Sequence, residues 1–508
     1  TRVDDRFTPD PSSVLRGRNP LSIGWVGEGE DAHGRTLVNS RLSGKFAFLT
    51  NGMGHIPYFI RSGGTIGVEG GLERTYPSTM RLPRRSFLQK TAIAAAGFTI
   101  IPRHVLGRGF VPPSETLNHV IVGCGGISGS GAHFGDHMKG AHRILAVCDV
   151  DDNHANNRVK QVIAAGGGTP KSTRDFREVI GLADADVVHV CTPPHWHGVI
   201  SAAAARLGKS VWCEKPMTRT IGEGLALRKV VQETGVPFRI NTWFRLNTTN
   251  YYGVGPAREI RRVVASGVLG GPLTVRLACV GGIAWKVNLW TGKPNLTPQA
   301  VPANLDWDMY CGPSPLIPYH PHRCHGSFRG YWNFDQGGLG DMGQHFLDPV
   351  QYFIGKDNEF PVSVDCDAPP QDPVACGVWK TVTMTYADGT RIILESELAE
   401  KGEKPFIEGP NGKLFANLRS DRPELIRMAM EYPLPERQED DFDLSSRERR
   451  PFGYGVNEAF HSSTLVNLAA LSVRLGRKLK FKPDGSGFVG DAQADRLHSP
   501  ILRGPWTI

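Results

Sequence analysis

"HVIVGCGGIS", His119–Ser128, is the stretch on which the fold turns. A β-branched run from His119 to Val122 ends in glycine, the pattern of a strand entering a sharp turn. Gly123 and Gly125 allow that turn and a close backbone approach to a pyrophosphate, whose charge then faces the positive end of the following helix. Ser128 stands at the third glycine position of the usual G-x-G-x-x-G spacing; it is small enough for helix–strand packing but departs from the strict pattern. Gly123, Gly125, Gly126 and Ile127 are therefore candidate dinucleotide contacts. Asp149 closes the second strand 26 residues after Gly123. A carboxylate there accepts hydrogen bonds from the adenosine ribose 2′-hydroxyl and repels a 2′-phosphate, with Asp151 and Asp152 adding to the repulsion. The expected cofactor is NAD rather than NADP.

Working outward, "ILAVCDV", "DVVHVCT", "SVWCEKP" and "PFRINTW" repeat the short apolar run, separated by helical stretches of about 10 to 20 residues. Short β-branched runs alternating with helices predict an α/β fold, a doubly wound parallel sheet. Ligands of such sheets bind beyond the carboxyl ends of the strands. "CTPPHWH", Cys191–His197, and "CEKP", Cys213–Pro216, are two such ends, so Thr192, Pro193, His197, Glu214 and Lys215 join the cofactor contacts. Lys215 is expected to face the nicotinamide, because Pro216 confines it to extended backbone at a strand end.

The chain has 508 residues, 40% of them hydrophobic, enough for one large or two medium cores. Its formal charge is +8. Residues 1–107 hold 14 Lys/Arg against 8 Asp/Glu of the totals 58 and 50, so the remaining 401 residues carry only +2 and no nucleic-acid partner is implied. Nine cysteines without a CxxC pair speak against a zinc ribbon or a redox dithiol. Buried free thiols are expected, rather than bridges between Cys366 and Cys376 or between Cys311 and Cys324.

"MRLPRRSFLQKTAIAAAG", Met80–Gly97, has paired arginines, Arg84 and Arg85, followed by an apolar run too short to span a bilayer as a permanent helix. That is the pattern of a twin-arginine export signal, which predicts the export machinery as a partner and a periplasmic or otherwise exported protein. Such a signal is read from a free N-terminus, so Met80 is the expected natural start and residues 1–79 a leader outside the natural protein. The expected organisation is the leader, a signal segment at 80–107, a Rossmann domain at 115–243 and a substrate domain at 244–508.

"GGLGDMGQHFLDP", Gly337–Pro349, carries Asp341 and His345 four residues apart, on one face of a helix. A histidine near neutral pKa can take a hydroxyl proton and a nearby carboxylate can orient it. A helix N-cap and a satisfied core histidine explain the same two residues equally well. Pro349 has no N–H for the carbonyl of His345, so a kink or break is expected there. "YHPHRCHGSFRGYWNF", Tyr319–Phe334, crowds His320, His322, Cys324 and His325 into one loop, with spacings that do not match a closed metal site; no metal is expected. His325, Arg329 and Trp332 read instead as a polar and aromatic sugar-binding wall.

Together "GCGGIS", "CTPPHWH", "EKP", "VPANLDWDMYCGP" (301–313), "GGLGDMGQHFLD" and "DAQADRL" (491–497) resemble the glucose-fructose oxidoreductase, inositol dehydrogenase and MocA (Gfo/Idh/MocA) family, over about residues 115–508. The resemblance implies a Rossmann domain followed by an α/β domain with a large open, mainly antiparallel sheet, and a homo-oligomer. It implies a catalytic set of Lys215, Asp341 and His345, with His345 the base on a sugar hydroxyl, and a cis Lys215–Pro216 bond. Arg245 is a further candidate for substrate or cofactor contact. An exported enzyme of this kind would have to travel with NAD locked in. The activities implied are an NAD-dependent oxidoreductase on a secondary alcohol of a small carbohydrate, a redox-neutral NAD-dependent glycosidase, or a non-catalytic sugar sensor or scaffold on the same fold.

Overall fold

The computed structural model describes residues 116–508, apart from 131–132, 134–141, 243–244, 246–249, 278–284, 397–403 and 439. The leader and the twin-arginine segment lie outside the described residues. Six strands, β1 (Asn118–Val122), β2 (Arg143–Cys148), β3 (Lys171–Thr173), β4 (Val187–Val190), β5 (Ser210–Glu214) and β6 (Phe238–Asn241), form one sheet in the order β3-β2-β1-β4-β5-β6. Every pairing is parallel. The order reverses between β1 and β4, which opens a crevice at their carboxyl ends. β4 and β5 are buried at every position, as strands covered by helices on both faces must be. The following helix, Ile221–Thr234, starts where the Thr220 side chain accepts from the Glu223 amide and stops at Gly235, whose φ of 65° an L-residue rarely adopts.

A short ribbon, β7 (Asn250–Tyr251) and β8 (Gly255–Pro256), leads to the second half. There β9 (Thr274–Leu277), β10 (Ser363–Asp367), β11 (Thr381–Thr385), β12 (Arg391–Glu395), β13 (Ile407–Gly409), β14 (Gly412–Leu414) and β15 (Leu479–Lys480) form a sheet in the order β14-β13-β9-β12-β11-β10-β15. Only β9 and β12 pair in parallel. Alternate residues of β11 and β12, Val382, Met384, Ile392 and Leu394, face the core with no exposure. The fold is thus a Rossmann-like parallel sheet followed by a domain with a larger mixed sheet.

Two long buried helices fill the space between the sheets. Gly337–Ile354 packs along Val456–Leu475, which also touches the Ile221–Thr234 helix and β10. A break at Pro349 was expected, and the structure corrects it: one helix runs through Pro349 to a left-handed Gly355. Packing on nearly every side of this helix, as at Phe346, Leu347, Val350 and Phe353, outweighs the one backbone hydrogen bond that proline removes. Eight cysteines are free among the described residues, all but Cys366 buried. No helix among the described residues is long and apolar enough to cross a membrane.

Candidate active site

A cavity of about 680 Å³ lies at the carboxyl ends of β1, β2, β4 and β5 and is closed on the far side by the Gly337–Ile354 helix. Gly123 has φ +91°, and a Cβ there would stand 2.6 Å from the Cys191 backbone, so only glycine lets the turn cross the end of β4. A Cβ on Gly126 would meet nothing within 4 Å, and one on Gly125 only the edge of His154, which leaves bare backbone facing the cavity. Ile127 lines the same wall. Ser128, in the third glycine position, is buried and donates to the Gly125 carbonyl at 2.8 Å. Arg158 donates to the Ser128 hydroxyl at 2.7 Å and the Gly125 carbonyl at 3.2 Å, fastening the turn from behind. Asp149 accepts from the amides of Cys124 at 2.7 Å and Asp151 at 2.9 Å, which fixes its carboxylate at the cavity wall. Open glycine backbone leading into the short 3-10 turn Ile127–Gly129, with a carboxylate at the end of β2, fits a dinucleotide with a free 2′-hydroxyl.

Thr192 and Pro193 line the cavity at the end of β4. His197 does not: it is buried, and its ring nitrogens lie 2.7 Å from the carbonyls of Thr192 and Pro216, so it ties the β4 loop to the β5 loop. Burial lowers its pKa, so the ring is neutral and its single N–H is donated to one of the two carbonyls at a time. The Lys215–Pro216 bond is cis. Glu214 accepts from Asn241 at 2.6 Å and meets His133 Nε2 at 2.8 Å. Burial would raise its carboxyl, but His133, Lys215 and Asn241 together bring it down to about 2. Behind Glu214 runs a row of imidazoles: His133 Nδ1 lies 2.9 Å from His189 Nδ1, His189 Nε2 2.8 Å from His119 Nδ1, and His119 Nε2 3.4 Å from His142 Nδ1. His142 Nε2 in turn lies 3.3 Å from the partly exposed Asp443.

The nearly buried Lys215 ammonium donates to Asp341, to its carbonyl at 2.5 Å and its carboxylate at 3.2 Å. The same carboxylate takes Lys286 at 3.1 Å, Arg329 at 3.0 Å and the Trp290 indole N–H at 2.6 Å. Burial alone would raise Asp341, yet the cations of Lys215, Arg329 and Lys286 hold it well below the usual carboxylate range. His345, one turn on, is buried and its pKa falls well below the ordinary value, through desolvation first and the Lys215 charge second. The imidazole is therefore neutral, as a proton acceptor must be, and the same burial and charge make it a weaker base than a solvated histidine. Asp335 lines the cavity beside them; desolvation and the nearby Asp341 charge push its carboxyl up to about 7 against the pull of Arg329.

Asp341 was weighed as a helix N-cap; it lies inside the helix, whose N-cap is Gln336. Of the residues read as a sugar-binding wall, Arg329 lines the cavity at the Lys215 and Asp341 end. His325 lines the cavity beside Asp151, at the Asp149 end. Trp332 is buried outside it, its indole donating to the Asp372 carbonyl at 3.0 Å. Arg245 is likewise outside, sealed in an ion pair with Asp348 at 3.2 Å and Asp357 at 2.8 Å. Lys286, Trp290, Asp335 and Arg158 were not found in the sequence. None sits in a local motif; their roles exist only through contacts with residues 30 to 55 positions away or, for Asp335, through burial.

Two family models match the chain: "Oxidoreductase family, NAD-binding Rossmann fold" over residues 117–242 and "Oxidoreductase family, C-terminal alpha/beta domain" over residues 254–508, half of the chain. Among curated relatives, the levoglucosan dehydrogenase of Pseudarthrobacter phenanthrenivorans is 26% identical over 207 residues, 40% of this chain and 41% of that protein. Inositol 2-dehydrogenase 1 of Saccharopolyspora erythraea is 28% identical over 184 residues, 35% of this chain and 50% of that protein. A glycosyl hydrolase family 109 protein of Shewanella pealeana is 27% identical over 165 residues, 28% and 36% of the two chains. The chain thus spans half or less of the length of these relatives. Among solved structures, a levoglucosan dehydrogenase in complex with NADH and levoglucosan aligns with a TM-score of 0.42 and 17% identity over 72% of this chain and 99% of that one.

Proposed function

From the membership of this chain in the Gfo/Idh/MocA oxidoreductase family, with its NAD-binding Rossmann domain, we propose that it oxidises a secondary alcohol of a sugar, polyol or glycoside with NAD held tightly in the cavity. The observation that carries this reading is the meeting of Lys215 and Asp341 in one cavity with the open glycine turn and a neutral His345. NAD, when bound, supplies the acceptor for a hydride from the carbinol carbon. His345 takes the hydroxyl proton on an imidazole nitrogen. Lys215 places its ammonium beside the oxygen and favours the negative charge that develops there, while Asp341 holds that ammonium in position. The named activities of the curated relatives, dehydrogenases of levoglucosan and inositol, support a small polyhydroxylated substrate. Replacing Lys215 or His345 by alanine should lower the rate of NADH appearance with such a substrate by about 10²–10⁴-fold. A loss below tenfold in both variants would sink the assignment.

One feature favours a redox-neutral second reading. Asp335, with its pKa near 7, is a carboxyl still partly protonated at neutral pH and thus able to give a proton to a leaving glycosidic oxygen. Release of sugar from a glycoside with no net NADH would identify that cycle. The paired arginines at 84–85 support export by the twin-arginine route with the nucleotide already aboard, and a periplasmic location. Residues 80–107 fused to a reporter should direct its export only where that translocase is present. Identifying the nucleotide freed by denaturing the purified protein tests retention, and light scattering tests the homo-oligomer.

A further inference from the structure

Asp151, His154 and His325 face one another at the β2 end of the cavity, three strands from Lys215, or about 14 Å along the sheet. Asp151 caps the Asp152–Ala164 helix and His154 lies in its first turn, whereas His325 opens the His325–Gly330 segment of the second domain with a left-handed φ of 52°. Asp151 Oδ1 is occupied, accepting from the Asn153 amide at 2.9 Å and the Asn304 side chain at 2.8 Å, which turns Oδ2 toward His325. His325 Nε2 stands 3.4 Å from that oxygen, and His154 Nδ1 stands 3.7 Å from Asp149. These separations are poor for hydrogen bonds. The 3.4 Å between His325 Nε2 and Asp151 Oδ2 matches the ~3.4 Å between ligand atoms around a tetrahedral ion with bonds of about 2.1 Å. All three donor atoms lie within 4.8 Å of one another, so movements on the order of 1 Å complete the geometry. Arg174 neutralises Asp152, but neither Asp149 nor Asp151 has a Lys or Arg salt-bridge partner among the described residues.

We propose that Asp151, His154 and His325 bind one divalent transition-metal ion of the zinc class, with its fourth position open to the cavity beside Asp149. Two imidazoles and one carboxylate are a ligand set that suits such an ion and leaves a site for water. Because two ligands come from the Rossmann domain and one from the second domain, the ion ties the domains across the adenosine end and slows loss of NAD. This rests on the cavity holding NAD and not on any choice of substrate, and ion binding is read without turnover.

The test is a titration of the purified, NAD-containing chain, stripped with EDTA, with CoCl2. The expected result is about one ion per chain with the strong visible absorption of a tetrahedral site, and loss of both in a His154→Ala/His325→Ala variant that keeps its circular dichroism. Stripping should speed NAD loss by ~3-fold or more in the unmodified chain and leave the variant unchanged. No Co2+ binding by the folded chain, or equal binding by the folded variant, overturns the site. An unchanged rate of NAD loss after EDTA overturns the tie between domains. Should the double variant not fold, His325→Gln at this half-exposed position serves in its place.

Discussion

Asp341 sits at the centre of three cations and an indole, so its charge is the part of the site on which the others depend. Asp341→Asn should leave three cations facing one another and lower kcat by about 10²-fold, more than it changes KM, because Lys215 loses the carboxylate that aims it. Gly123→Ala should prevent NAD binding, since its methyl would stand 2.6 Å from Cys191 at a φ of +91°; nucleotide content of the purified variant measures this. Asp335 supplies a pH signature. Its folded pKa, about 7, exceeds the unfolded value near 4, so its contribution to stability is fully present below pH 4 and is lost as pH rises through 7. Against Asp335→Asn, the wild type should lose on the order of 1–4 kcal/mol between those limits in denaturant titrations. Lys215, Asp341 and the glycine turn were legible because each sits in a short motif. Trp332 and Arg245 misled for a physical reason: type and spacing do not say whether an aromatic ring or a guanidinium faces a cavity or a buried partner.

At the scale of elements, the Gly337–Ile354 helix is the piece whose sequence is hardest to read. Its glycines weaken it as an isolated helix but let neighbours come close: a Cβ on Gly338 would stand 2.0 Å from the Trp285 carbonyl oxygen, and one on Gly343 3.0 Å from Val466. Gly343→Ala should push the Val456–Leu475 helix away and cost about 1–3 kcal/mol in thermal or denaturant unfolding, with a loss of activity as His345 shifts. Strands β1, β2, β4, β5 and β6 were legible, since mostly buried parallel strands read as apolar, β-branched runs, whereas β3, with Lys171 and Ser172 exposed, leaves no such run. The continuation of the helix past Pro349 was not, because local chemistry argues for a stop and only the surrounding core argues against it.

Across the whole molecule, strong contacts join segments far apart in sequence. Arg245, from the link after β6, is sealed against Asp348 and Asp357. Arg245→Ala should therefore lower stability by about 3–5 kcal/mol through the uncompensated carboxylates, with KM for substrate unchanged in whatever folds. The C-terminal residues join both domains: Trp506 packs edge-on against Trp196 of the first, and Arg503 donates to the Gly312 carbonyl and binds Asp308 of the second. Deleting residues 503–508 should lower the melting temperature measured by calorimetry. Such long-range returns leave no mark in sequence spacing, which is why the fold class could be read but these joints could not.

The row of imidazoles behind Glu214 has one further property. With that carboxylate ionised, His133 must present its Nε2 hydrogen to it, which obliges His133 Nδ1 to accept from His189, His189 Nε2 to accept from His119, and His119 Nε2 to accept from His142. The file thus runs between two acids: Asp443, 3.3 Å from His142 Nε2, also draws a hydrogen, while Glu214 orders the buried rings. Withdraw the Glu214 charge, and the whole file is free to reverse direction, a change that nitrogen chemical shifts would register at rings far from the substrate.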